Sequence, residues 1–177
     1  EPAITVCSAT TMEQIQSAVV ELNRDHDAIV GDSPGQDGEA AQTITLLSDV
    51  VIVPLQPSRP DLRALNRGLK AIRLAQQMTG GKRPMATLVL NNVAKRDVQA
   101  RQLKAQLATF KLPVATSEIR RLNALRDACD SSVMRMKSEE GREAAKDLHS
   151  LFLEIVPTSL FDIPLVRELG TQQAVND

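Results

Sequence analysis

Short, almost wholly apolar runs alternate along the chain with longer stretches in which apolar residues return every three or four positions. AITVCSA (3–9), DAIVGD (27–32), VVIVPLQP (50–57), MATLVLNNV (85–93) and LPVATSEI (112–119) predict strands apolar on both faces. TTMEQIQSAVVELNRD (10–25) predicts a helix with Ile15, Val19 and Leu22 on one face, opened by Thr10 and Glu13 at capping-box spacing. GEAAQTITLLSD (38–49) predicts a short helix. Pro60 then sits where the first turn of a helix tolerates proline, and Leu62, Leu65, Leu69 and Ile72 carry that helix to a C-cap at Gly80-Gly81. A basic helix follows over about 97–110, and further helices near 121–129 and 138–155. Buried strands each followed by a helix predict an α/β fold, a mostly parallel sheet with helices on both faces. With no repeat, low-complexity segment or linker, residues 1–156 are expected to form one domain. The tail, 157–177, is expected to dock on that domain or a partner, or to be partly disordered at its end.

Composition narrows the field of functions. Across 177 residues there is no Trp or Tyr and only three Phe, so aliphatic side chains must build the core. Stacking on nucleic-acid bases is disfavoured for the same reason. No apolar run approaches the roughly 20 residues of a membrane span, and the start does not resemble a signal peptide. Cys7 and Cys129 lie far apart without metal-ligand spacing, which reads as two reduced thiols. The net charge of −1 hides a gradient. Residues 1–49 carry −8, residues 50–126 carry +12 and residues 127–177 carry −5. The central block is either an electrostatic footprint for a polyanion or a set of solvated helix faces.

Two strand ends carry candidate chemistry. HDAIVGDSPGQDG (26–38) stops an apolar run on Asp32 and passes to a Ser-Pro-Gly turn. In parallel α/β sheets ligands sit beyond the carboxyl ends of the strands. A carboxylate there can hold Mg²⁺, and a Pro-Gly turn lets backbone amides approach a phosphate. An ordinary strand-to-loop turn would look the same. LVLNN (88–92) ends on Asn91 and Asn92, whose amides can read a purine edge with a donor and an acceptor, or simply cap a loop. His26 and His149 lack partners at metal-ligand spacing, and no GxSxG or glycine-rich dinucleotide fingerprint is present. GGKR (80–83) fails as a phosphate loop because Arg83 stands where Ser or Thr is needed.

In order, HDAIVGDSPG, SDVVIVPLQPSRPDLRAL, LVLNNV and SEIRRLNALRDACDSSVMRM resemble the ParA/MinD group of deviant-Walker P-loop ATPases, and ParA-type partition proteins in particular, over roughly residues 25–155. The resemblance implies a P-loop NTPase-like fold, ATP and Mg²⁺ as cofactors and an ATP-dependent homodimer. It further implies nonspecific DNA binding, and a ParB-like or cargo-adaptor partner that stimulates slow hydrolysis. Such proteins segregate plasmids or chromosomes or position cargo, in the cytoplasm and on the nucleoid. By position, Asp32 resembles the Mg²⁺-associated aspartate, and Pro34 and Gly35 the switch turn that senses the γ-phosphate. Asn91 resembles the adenine-edge asparagine, and Arg121 and Arg126 fall near the base and the dimer-facing surface. Arg96, Arg101, Lys104, Arg120, Arg121 and Arg126 are the candidates for salt-sensitive contacts with the DNA backbone.

The chain departs from the family pattern at several points. The nucleotide loop and the switch supplying the hydrolytic aspartate are expected upstream of residue 1, so this chain alone is not expected to hydrolyse ATP. Gly31 replaces the usual Ile or Val, Arg120 the usual Pro after the last strand, and Asp130-Ser131 the usual Gly before SV. Two other readings remain open. One is a degenerate ParA-like interaction module that binds no nucleotide; the other is a metal-insertion or nitrogenase-like relative, which Cys7 and Cys129 do not fit.

Overall fold

The structure, a computed structural model, describes residues 4–33, 38–128 and 132–156. The elements run α1 (Met12–Asp25), α2 (Glu39–Leu47), β1 (Val50–Leu55), α3 (Arg59–Met78), β2 (Met85–Leu90), α4 (Val98–Leu107), α5 (Asn123–Asp127) and α6 (Glu139–Ile155). Single 3₁₀ turns lie at Ala108–Phe110 and Val133–Arg135. Two units can be distinguished, Glu1–Val51 with Leu65–Met85, and Ile52–Ala64 with Ala86–Asp177. The division falls within β1, α3 and β2 rather than at a linker.

In the first unit the helices follow their sequence signals, with small displacements. The capping box of α1 forms one residue later than its spacing suggests. Thr11 accepts from the Gln14 backbone N–H at 3.3 Å, while the Gln14 side chain accepts from the Thr11 N–H at 3.3 Å. α3 buries Leu65, Leu69, Ile72 and Ala75. It ends where Gly80 (φ 66°) and Gly81 (φ 81°) take left-handed backbone. The Gly81 N–H donates to Gln76 O at 2.7 Å and the Gly80 N–H to Gln77 O at 3.2 Å, the paired bonds of a Schellman motif.

Two expected strands do not form. Residues 4–9 and 28–33 belong to no ladder, and Ile4 (87%), Val6 (87%) and Val30 (95%) are exposed. An apolar run becomes a strand only when another edge accepts its backbone groups, and none of the described residues does so here. Gly31 nevertheless has a packing reason. A Cβ at that position would lie 3.1 Å from Ile44 Cγ2 on α2, closer than ordinary contact, so the segment lies against α2 without a side chain.

The sheet is small and parallel. The Met85 N–H donates to Asp49 O, and the Asn91 N–H to Leu55 O, both at 2.8 Å, so β1 and β2 run side by side in constant register. On the other edge of β2 the expected strand at 112–119 survives as two parallel bridges, Leu88 to Val114 and Val93 to Arg120. β2 is thereby flanked on both sides. Leu88, Val89 and Leu90 are at most 1% exposed, and burying each contributes about 1.5–3 kcal/mol.

Between the bridges the third segment bulges outward. Leu88 O accepts from the Ala115 N–H at 2.8 Å and Leu90 O from the Ile119 N–H at 2.9 Å. Four residues on one side therefore match two on the other, and Thr116 and Ser117 leave the ladder. Their amides are taken up by the Glu154 carboxylate on α6, at 2.5 and 2.8 Å. Asp147 accepts the Arg120 N–H at 3.1 Å, and Glu140 accepts the Asn123 N–H at 2.6 Å. Three carboxylates spaced along α6 thus hold the backbone of 116–123.

Burial alone would raise the Glu154 carboxyl, but the amides of Thr116 and Ser117 outweigh it and hold the group below the ordinary carboxylate range. With the folded value depressed, ionised Glu154 stabilises the fold fully above about pH 4.3, and this contribution is lost as pH falls through the lower folded value. Glu154→Gln is expected to lower the urea midpoint at neutral pH, with the gap to the parent closing in acid.

At the start of α6, Ser138 accepts the Gly141 N–H at 3.1 Å, and a Cβ on Gly141 would overlap Met136 Cβ. Met136 packs on the buried cluster of Ala124, Val133 and Ala144. Alanine is a better helix former than glycine by about 1 kcal/mol, yet Gly141→Ala is expected to destabilise by about 1–3 kcal/mol. Thermal unfolding checks the sign.

Candidate functional site

The carboxyl ends of β1 and β2 in the second unit carry a continuous line of polar side chains. Beyond β1 the chain turns through Gln56 and Ser58 into α3. Asp61 accepts the Gln56 N–H at 2.9 Å and the Ser58 hydroxyl at 2.9 Å, and the Asp61 N–H returns to Ser58 Oγ at 3.2 Å. This is a capping arrangement, and its Ser-x-x-Asp spacing was visible in SRPD. It leaves the Gln56 side chain exposed at the strand end.

Beyond β2, Asn92 takes left-handed backbone with φ 58°, a conformation in which asparagine is enriched. Its Nδ2 donates to Gln56 Oε1 at 3.1 Å, and its Oδ1 accepts from Arg121 Nε at 3.1 Å. Arg121 follows directly after the bridge that holds Arg120 to Val93, and its N–H donates to Val93 O at 2.8 Å. Gln56, Asn92 and Arg121 therefore form one hydrogen-bonded line across the strand ends. Asn91, half-buried, uses Oδ1 to accept the Asn92 N–H at 2.8 Å. Its Nδ2 donates to nothing among the described residues.

The other expected site residues distribute as follows. Asp32 lies in the first unit, exposed, with no hydrogen bond or ion pair among the described residues. Pro34 and Gly35 lie outside the described residues. No cluster of three or more His, Cys, Asp or Glu that could hold a metal is found among the described residues. Mg²⁺ in phosphate sites is held by one or two carboxylates, with phosphate oxygens and waters completing its shell. A single exposed carboxylate such as Asp32 fits that donor set.

The basic candidates divide sharply. Arg120 is committed inward: Nη2 and Nε donate to Asp147 Oδ1 and Oδ2 at 2.8 and 2.9 Å, and Nη1 meets Glu143 Oε2 at 3.2 Å. Hydrogen bonding to Asp147 raises its guanidinium above the ordinary value despite partial desolvation, and Glu143 adds to the effect. Lys104 pairs with Glu118 at 2.6 Å and also donates to Thr116 O at 3.2 Å. Arg126 meets Asp127 at 3.3 Å. Arg96, with φ 62°, and Arg101 are exposed, and no carboxylate among the described residues pairs with them.

No protein-family model matches the chain. The chain is similar to the "Maintenance of carboxysome distribution protein A" of Halothiobacillus neapolitanus, with 27% identity over 135 residues, covering 75% of this chain and 62% of that protein. It thus spans less than two thirds of the length of the curated relative it matches. The likeness supports the ParA-like relationship that the motif series implies. Among the described residues no helix is long and apolar enough to cross a membrane.

The motif resemblance gives a role to Asn91 and none to Asn92, whose side chain nevertheless joins Gln56 to Arg121. Replacement tests its two roles separately, because glycine tolerates φ 58° while alanine does not. Asn92→Ala is expected to cost about 1–2 kcal/mol. Asn92→Gly should unfold at a higher urea concentration than Asn92→Ala, though both lose the bonds to Gln56 and Arg121.

Proposed function

We propose that this chain is part of a ParA-like, nucleotide-dependent cargo-positioning protein. Its adenine nucleotide would sit at the carboxyl ends of β1 and β2. One observation carries the reading: the Gln56–Asn92–Arg121 line beside the unused Asn91 amide. The Asn91 Nδ2 supplies a donor for a ring nitrogen. The terminal nitrogens of Arg121, whose side chain is held through Nε alone among the described residues, supply charge-assisted donors for ribose or phosphate oxygens. By the motif resemblance alone, Asp32 is proposed to associate with Mg²⁺, and Pro34 and Gly35 to sense the γ-phosphate. Bound Mg²⁺ would neutralise phosphate charge; this chain's own residues bind and orient the nucleotide.

In the same reading the protein acts as a homodimer, binds DNA without sequence preference and meets a ParB-like or cargo-adaptor protein. It works in the cytoplasm on the nucleoid. The similarity to a carboxysome distribution protein favours cargo positioning over plasmid partition. Hydrolysis is not assigned to the residues of this chain.

Titration of the 177-residue chain with a fluorescent ATP analogue and Mg²⁺ is expected to give saturable binding. Asn91→Ala and Arg121→Ala are each expected to weaken it by about tenfold, equivalent to about 1.4 kcal/mol. Equal affinity in both variants would overturn the site. No binding by the parent would favour the protein-interaction module instead.

A further inference from the structure

We propose that the solvent face of α3 is a DNA-backbone contact surface, separate from the candidates Arg96, Arg101, Lys104, Arg120, Arg121 and Arg126. α3 has 20 residues. Arg59, Arg63, Arg67 and Lys70 follow one another at spacings of four, four and three, and all are exposed. At 3.6 residues per turn these positions fall within an arc of about 80° along about 16 Å of helix. The buried residues Leu65, Leu69, Ile72 and Ala75 occupy the opposite face.

Two features separate this stripe from an ordinary solvated helix face. The only acid in α3 is Asp61, and its carboxylate is turned to Gln56 and Ser58. No carboxylate among the described residues pairs with Arg59, Arg63, Arg67 or Lys70. By contrast, Lys104, Arg120 and Arg126 of the same basic block are all met by acids. Four exposed cations without a carboxylate partner among the described residues thus share one face of α3, while Arg96 and Arg101, equally unpaired, lie outside that helix. Mixed-sign i,i+4 pairing, the usual arrangement of a merely soluble helix face, is missing.

The partner is duplex DNA rather than a membrane. A helix that lies on a bilayer flanks its basic arc with large apolar residues that enter the lipid. Over the arc itself, residues 59–70, no large apolar side chain is exposed, and the exposed Leu74 and Met78 lie beyond its C-terminal end. A row of cations matches instead a polymer with one negative charge per about 1.7 Å of axis. Contacts of this kind position the protein without reading bases, which suits a chain with no Trp or Tyr.

This inference rests on the DNA-binding part of the proposed function. Fluorescence anisotropy of a labelled random-sequence duplex, measured with the 177-residue chain over a range of salt, tests both. The triple variant Arg63→Gln, Arg67→Gln, Lys70→Gln should keep its helix content by circular dichroism, because glutamine is as good a helix former. Its log K against log salt slope is expected to flatten by about 2.7, since each lost phosphate contact contributes about 0.9. A control with equal charge removed elsewhere, Arg24→Gln, Lys137→Gln, Lys146→Gln, should keep the parent slope. If the parent binds and the α3 variant binds with the same slope, the α3 surface is overturned and DNA binding stands. If the parent binds no duplex even at low salt, both fall. Loss of binding to phosphatidylserine-containing vesicles in the α3 variant, with no duplex binding by the parent, would reassign the face to a membrane.

Discussion

The second unit depends on carboxylates of α6 taking hydrogen bonds that a sheet would otherwise supply. Segment 113–121 can pair with β2 only through a two-residue excursion, and an excursion strands backbone amides. Glu154 accepts two of them, Asp147 the Arg120 N–H and Glu140 the Asn123 N–H. Hydrogen bonds to ionised acceptors are about twice as strong as neutral ones, so three side chains can replace part of a ladder. Because these groups sit near the surface, their value lies less in Coulomb energy than in fixing where the segment runs.

That fixed path sets the geometry at the strand ends. Arg121 reaches Asn92 because Arg120 is pinned twice, by Val93 through the backbone and by Asp147 through the side chain. Side-chain pairing divides the basic block into two populations. Lys104, Arg120 and Arg126 are spent on internal pairs, whereas Arg59, Arg63, Arg67 and Lys70 on α3 are exposed with no carboxylate partner among the described residues. A linear count of charge cannot make that distinction, although it decides which cations remain available to a polyanion.

Much of the helical framework was legible in the sequence. The apolar stripe of α3 and its double-glycine stop agree with the structure to within a residue or two, since both are local signals. Strands were less legible. Residues 4–9 and 28–33 contain apolar runs as β1 does, but a strand also needs a partner edge, which apolar content does not encode. The bulge at Thr116 and Ser117 depends on Glu154, 38 and 37 residues further on, beyond any local pattern. At the site, Asn91 was recognisable as a strand-end amide. Asn92 was read only as a second strand-end amide, because its part comes from a left-handed backbone and from Gln56 and Arg121, 36 and 29 residues away. Arg120 stood out as a surface cation because Asp147 and Glu143 meet it only in three dimensions.

The bare backbone at Gly31 has an evolutionary corollary. Its space is filled by the Ile44 methyl, so bulk at one position must be surrendered at the other. Natural variants that restore a branched residue at 31 should carry a smaller one at 44, and the two positions should trade volume as a pair.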